Sequence, residues 1–288
     1  MAYKFPVILS ASRMTDMPAF YPRQLIAAVE QRVQKGLPIH SLVLWTKHPD
    51  SLLRPPLCEA ISRWKSTGIQ IALQLTVTGF GGVLFKNKTG RSVMVEPNVP
   101  SCVSVIERFN DLIQLTGNPA LITVRFDPVM KIGVYGESIE SNLSLLPAVL
   151  DGMKLNNLRS MVYSFLEPNL YRKVERVFNK AELTIEGFSA EEKTDAKGYI
   201  DGLCKQYHVR ARPCCVDVFE ETACLDGQEL NSIKGEGAEP EYKALHRRSH
   251  CGCTRSVDLG GWPPNPCYSG CLYCYARPVI NPGSEIVL

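Results

Sequence analysis

The sequence predicts an α/β protein: a parallel (β/α)6 sheet closed into a partial TIM-like barrel, followed by a C-terminal cysteine-rich segment. Three observations carry this. Short, almost unbroken apolar runs alternate with longer amphipathic stretches, as strands buried on both faces alternate with crossover helices. Every run ends in polar or unusual residues, as strands do that converge on a barrel mouth. No Gly-rich dinucleotide fingerprint follows the first run, which weakens the rival, an open doubly wound sheet.

The elements follow in order. "VILSAS" (7–12) reads as the first strand, and 22–35, "PRQLIAAVEQRVQK", as a helix stopped by Gly36. "SLVLWT" (41–46) is the second strand and 55–66 its helix; "IQIALQLTVTG" (69–79) is the third. After an excursion, "SCVSVIERFNDLIQLTG" (101–117) forms a helical stripe of Val103, Ile106, Phe109, Leu112 and Ile113. "ALITVRFDP" (120–128), "SMVYSFLEP" (160–168) and "HVRARPCCV" (208–216) are the fourth, fifth and sixth strands, with helices near 171–181 and 189–206. The strand ends should therefore gather Ser10, Arg13, Thr15, Asp16, Trp45, Lys47, Thr76, Thr78, Arg125, Asp127, Glu167 and Arg212 at one mouth. Helix capping and turn formation are the alternative use of such residues.

Residues 1–221 form the barrel domain in this reading. Residues 222–250 are a polar connector with one short helix, ending in the basic turn "HRRSH", and 251–288 are the cysteine segment. A net charge of +3 over 288 residues is no electrostatic footprint of a nucleic-acid binder. No apolar stretch has the roughly 18 residues of a membrane helix, and the N-terminal one is too short for a signal peptide. A cytoplasmic enzyme is the expectation.

The 11 cysteines are the anomaly, and eight of them follow Cys204. In a reducing compartment that clumping favours metal ligation or redox chemistry over disulfides. Cys58, Cys102 and Cys204 lie in helical patterns and read as core thiols. Cys267, Cys271 and Cys274, in "CYSGCLYCYA" (267–276), are open to three chemistries. Zinc wants four ligands, usually as separated C-x-x-C knuckles. A redox pair needs only two cysteines. A 4Fe–4S cube can be held by three thiolates, with its fourth iron open to a small ligand.

The spacing C-x-x-x-C-aromatic-x-C resembles the signature of radical S-adenosylmethionine enzymes, with Tyr273 in the aromatic slot. That resemblance implies a 4Fe–4S cluster chelating S-adenosylmethionine, a 5′-deoxyadenosyl radical that abstracts hydrogen from an unidentified substrate, and a flavodoxin- or ferredoxin-type electron donor. It implies a full or partial β/α barrel too. The superfamily usually carries its motif near the N-terminus, whereas here it lies at the far end. The blocks "SASRMTDMPAFY" (10–21), "WTK" (45–47), "TGFG" (78–81), "CGCTRSVDLG" (251–260) and "CYSGCLYCYA" resemble, in order, those of domain of unknown function 1848. This resemblance places the cysteine segment over the barrel mouth. It implies cofactor contacts from Thr78, Gly79, Arg125, Asp127, Tyr273 and Ala276, and substrate or catalytic roles for Arg13, Asp16 and Lys47. An internal Arg13–Asp16 salt bridge is the alternative for that pair. Cys251 and Cys253, with Cys214 or Cys215 and Cys224, form a second thiol group, for which an auxiliary cluster, zinc or loop stabilisation are all open. A non-catalytic iron–sulfur or zinc protein, serving electron transfer, sensing or nucleic-acid binding, is the alternative function.

Overall fold

A computed structural model describes residues 5–133, 140–242, 249–261, 265–276 and 278–279. The strands in chain order are β1 (Val7–Ala11), β2 (Ile39–Thr46), β3 (Gln70–Thr76), β4 (Leu84–Lys86), β5 (Ser92–Met94), β6 (Ile122–Val129), β7 (Lys131–Gly133), β8 (Glu140–Ser141), β9 (Ser160–Phe165), β10 (Thr184–Glu186), β11 (Arg210–Pro213) and β12 (Val257–Asp258). The α-helices are α1 (Met17–Phe20), α2 (Pro22–Gln34), α3 (Asp50–Leu53), α4 (Leu57–Ser66), α5 (Cys102–Ile106), α6 (Phe109–Thr116), α7 (Leu146–Leu155), α8 (Arg172–Lys180), α9 (Ala190–Tyr207) and α10 (Gly227–Lys234).

All six expected strands form. They join one seven-stranded sheet in the order β11-β9-β6-β3-β2-β1-β12, with every pairing parallel. From β1 to β11 the order follows the chain, without the reversal that defines a doubly wound sheet, and the last strand, β12, is added beside β1. The sheet is open: its end strands β11 and β12 are not hydrogen-bonded to one another.

Alternate residues of each strand face opposite sides. Leu9, Leu42, Leu44, Ile71, Leu73, Ile122, Val124 and Met161 pack with α2, α4, α6, α7 and α9 through residues such as Leu25, Ile61, Trp64, Phe109, Leu150 and Ile200. Each buried aliphatic side chain there contributes roughly 1.5–3 kcal/mol relative to exposure. Ile8, Val43, Ala72 and Val162 point the other way, against Leu225 and Leu230.

The short helix expected within 222–250 forms as α10 and belongs to a second layer on the sheet. Asp226 caps α10 through the Gln228 and Glu229 N–H groups, and the helix docks on the sheet. Gln70 Nε2 donates to Leu230 O at 2.9 Å, and Lys234 Nζ to His40 O at 3.0 Å and Gly68 O at 2.9 Å. Part of "HRRSH" (246–248) lies outside the described residues.

The stretch 101–117 is two helices rather than one. Arg108 N bonds Val105 O, three residues back, and this tighter turn rotates the stripe. Val103 is exposed as a result, while Val105, Phe109, Leu112 and Thr116 are buried. Cys204 is buried as expected, but Cys58 and Cys102 are only half-buried. Unforeseen were the β4–β5 hairpin and the small antiparallel sheet β10-β7-β8. They build a further core of Phe80, Phe85, Val95, Met130, Ile132, Val174 and Phe178, and Cys271, Leu272 and Tyr273 belong to it. Among the described residues no helix is long and apolar enough to cross a membrane.

Candidate functional site

After β12, the chain returns to the C-terminal ends of β1 and β2. Leu259 N bonds Ser10 O at 2.8 Å, Ser12 Oγ bonds both Asp258 oxygens at 2.9 Å, and Tyr21 OH bonds Pro266 O at 2.8 Å. The cysteine loop then lies along residues 95–99. Leu272 N donates to Val95 O at 3.0 Å, Asn98 N to Ser269 O at 3.3 Å, and Asn98 Nδ2 to Tyr268 O at 2.8 Å. Gly270, with φ +70°, makes the turn; a Cβ there would stand 2.9 Å from Pro97 Cγ. That left-handed conformation strains any L side chain.

Glu96 organises the centre. It is 1% exposed, and it accepts from Lys47 Nζ at 2.8 Å, from Thr78 Oγ1 at 2.6 Å and from the Tyr273 hydroxyl. Cys271 Sγ stands 4.0 Å from the same carboxylate. Burial alone would raise the Glu96 carboxyl, but Lys47, Thr78 and Tyr273 together hold it below its ordinary value. Burial would lower the Lys47 ammonium, yet Glu96 and Cys271 hold it raised. Burial pushes the Cys271 thiol well up, with Lys47 opposing, and raises the Cys274 thiol as well. Cys267, Cys271 and Cys274 lie within one another's electrostatic reach.

A second thiol group lies between the ends of β11 and β12. Cys214 Sγ is 3.9 Å from Cys215 Sγ, and Cys224 Sγ 3.2 Å from Cys253 Sγ. Cys214 also acts electrostatically on Cys224, Cys215 on Cys251 and Cys251 on Cys253, which links the five thiols into one ring-like group. Hydrogen bonds from Cys214 and Cys253 hold the Cys224 thiol well below its usual range, and bonds from Cys215 and Cys253 depress Cys251. Arg13 and Arg125 each stand 5.0 Å from the Trp45 ring and act electrostatically on this group. Among the described residues, no three or more His, Cys, Asp or Glu side chains are already arranged about a common ion position.

The residues named from sequence divide into groups. Lys47, Thr78 and Tyr273 meet at Glu96, with Gly79 beside Thr78. Asp127 takes bonds from Arg125 and Ser164 and acts electrostatically on Lys47. Arg125 itself faces Cys214 and Cys224. Ala276 O accepts from Lys173 Nζ at 2.9 Å. Asp16 is occupied structurally: it accepts from Ala19 N at 3.0 Å as the cap of α1, and from Thr46 Oγ1 and Lys47 N, each at 2.8 Å. Burial raises its pKa despite these donors. Arg13 stacks on Trp45 instead.

Two residues expected at the mouth stand apart from it. Glu167 pairs with Lys193 of α9, and Arg212 bonds Glu229 and Ser160, each at 2.8 Å, on the side of α10. The sequence reading missed Glu96, whose one signal is a lone acid in the apolar stretch "VMVEPNVP" (93–100). It also passed over His48, whose Nε2 is 3.0 Å from Ser269 Oγ.

No curated protein matches the chain. A family model described as a domain of unknown function, DUF1848, matches residues 8–276, from the first residues of β1 to the end of the cysteine loop. The chain belongs to the DUF1848 family.

Proposed function

We propose that this protein is a radical S-adenosylmethionine-type enzyme, with Cys267, Cys271 and Cys274 as the ligands of a 4Fe–4S cluster. The observation that supports it best is the shared neighbourhood of the three thiols, walled by Glu96, Lys47 and Tyr273 where β2 and β3 end. The donor set suits the group: thiolates are iron–sulfur ligands, and three of them leave one iron for a small chelating ligand. Bound there, the cluster would supply the electron that splits S-adenosylmethionine into methionine and the 5′-deoxyadenosyl radical used for hydrogen abstraction.

The chain's own residues would do the rest. Lys47 opposes the burial that keeps the Cys271 proton on, and so eases conversion to thiolate. Glu96 fixes Lys47, Thr78 and Tyr273 around the loop. Thr78, Gly79, Arg125, Asp127 and Ala276 are offered to S-adenosylmethionine, and the apolar cluster that includes Leu272 would help keep water from a carbon radical. In this reading the singly wound sheet is an incomplete barrel, and a flavodoxin- or ferredoxin-type protein delivers the electron.

Anaerobic reconstitution with iron and sulfide tests it. The wild type should bind roughly four irons that the Cys271→Ala variant does not. Under reduction it should release 5′-deoxyadenosine from S-adenosylmethionine, and the variant should not. Zinc at these cysteines with no nucleoside product would instead indicate a non-catalytic metal protein.

A further inference from the structure

The five-thiol ring lies outside the Cys267 loop and joins two separate stretches of chain. We infer that it is a second metal site, in which Cys214, Cys224, Cys251 and Cys253 bind one soft divalent ion, zinc or iron, as a tetrathiolate. Convergence, spacing, charge and backbone at the group all point to it.

The first is convergence. Cys214, Cys224 and Cys253 are buried and Cys251 is half-buried, whereas Cys215 is exposed. Thiols from residues 214–224 and 251–253 meet because the two stretches run side by side. Gly252 N bonds Thr222 O at 3.0 Å, Thr254 N bonds Leu225 O at 3.0 Å, and Gly227 N bonds Thr254 Oγ1 at 2.9 Å.

The second is spacing. Tetrahedral zinc with bonds of about 2.3 Å sets its sulfurs about 3.8 Å apart. Cys224 and Cys253, both in the proposed set, have sulfurs 3.2 Å apart, somewhat short of that value, and Cys214 lies 3.9 Å from Cys215, which is outside the set; a 4Fe–4S cube would hold its ligands well beyond such separations. Both contacts are also far longer than the ~2.05 Å of a disulfide. The sulfurs do not yet face one common point, so loading requires the cysteine side chains to turn inward.

The third is charge. Four thiolates around a divalent ion carry a net charge of −2, which is costly among apolar neighbours such as Ile8, Val43 and Leu225. The guanidiniums of Arg13 and Arg125 flank the group and offset it. The fourth is backbone. Cys215 sits at φ +54°, which an L side chain adopts only under strain, and at that turn Cys214 is buried within the group while Cys215 is exposed at its edge. Cys215 is the spare thiol.

The test uses the full chain with Cys267, Cys271 and Cys274 all changed to Ala, so that the first site cannot contribute. Metal analysis should find about one ion per chain without acid-labile sulfide. Exchange with Co(II) should give the thiolate charge-transfer and d–d bands of a tetrahedral site. Cys253→Ser and Cys224→Ser should lose both signals, and Cys215→Ser should keep them. If the triple variant does not fold, the same serine variants in the wild-type chain, judged by zinc content and the Co(II) spectrum, give the comparison. Five thiols titrating free, disulfides in their place, or a sulfide-containing cluster at this group would each overturn the single-ion site. Loss of the ion in Cys215→Ser would overturn the ligand assignment. None of these outcomes depends on S-adenosylmethionine turnover.

Discussion

At the residue scale, Glu96 is the most consequential side chain, because one buried carboxylate satisfies an ammonium, a hydroxyl and a phenol. Glu96→Gln would leave Lys47, whose side chain is 16% exposed, without its counter-charge. Removing one partner of a buried pair costs roughly 3–5 kcal/mol, since the remaining charge is stranded. Removing both charges is far cheaper. The chemical-denaturation stability of Glu96→Gln should therefore fall by about that amount, and Glu96→Gln/Lys47→Met should recover at least half of the loss. Equal losses in single and double variants would mean that Glu96 acts through Thr78 and Tyr273 alone. Glu96 was not legible in the sequence: no periodic pattern surrounds it, and its partners come from β2, the end of β3 and a loop some 175 residues later. Lys47, Thr78 and Tyr273 were legible because each sits at a strand end or in a thiol motif, where residue type alone carries information.

At the element scale, the strands were readable because parallel strands buried on both faces leave nearly unbroken apolar runs, and "LVLW" (42–45) is such a run within the buried β2. α10 was not. Its eight residues have a weak apolar face, and only the sheet it lands on shows which side is buried. The loop after β11 is tethered by Lys193 of α9, which reaches Glu167 after β9 and Asp217 beyond Cys214 and Cys215. Burial would lower the Lys193 ammonium, but its two carboxylate partners hold it above its ordinary 10.5. The bond from Lys193 holds Asp217 below its ordinary 3.8. The raised group stabilises fully below 10.5, and its contribution is lost as pH rises through the folded value. The depressed group stabilises fully above 3.8, and its contribution is lost as pH falls through the folded value. Asp217 is well exposed and screened, so most of the effect comes from Glu167, about 1–2 kcal/mol in all. Lys193→Met should thus be less stable than wild type on a plateau between those two pH values, and the gap should narrow on both sides. Its amides at 214–219 should exchange faster. A pH-independent gap would mean that the lysine acts through its apolar stem.

At the scale of the whole molecule, the two thiol groups divide the work of holding an open sheet. β11 leads directly into Cys214 and Cys215, and Cys251 and Cys253 precede β12, so the thiol ring lies between the two unpaired edges. Where a closed barrel would have a full hydrogen-bonded ladder between its end strands, this chain has five sulfurs and the two backbone bonds Gly252 N to Thr222 O and Thr254 N to Leu225 O. The sequence showed that cysteines cluster here but could not show which four belong together, because that depends on how far the sheet curves. β12 has only two residues, paired to β1 at Leu9 and Ser10, which is too little ladder to hold an edge alone. The segment after it carries Cys267, so slack at the ring is passed on to the cysteine loop. Chelating the ion proposed for the ring should therefore speed amide exchange at both edges, residues 210–216 and 251–259. The central pair β2–β3, flanked by strands on both sides, should be unaffected. Mass-resolved hydrogen exchange of loaded and chelated protein reads this directly. Uniform acceleration would mean that the ion stabilises the molecule globally, and faster exchange at one edge alone would mean that the ring does not bridge them.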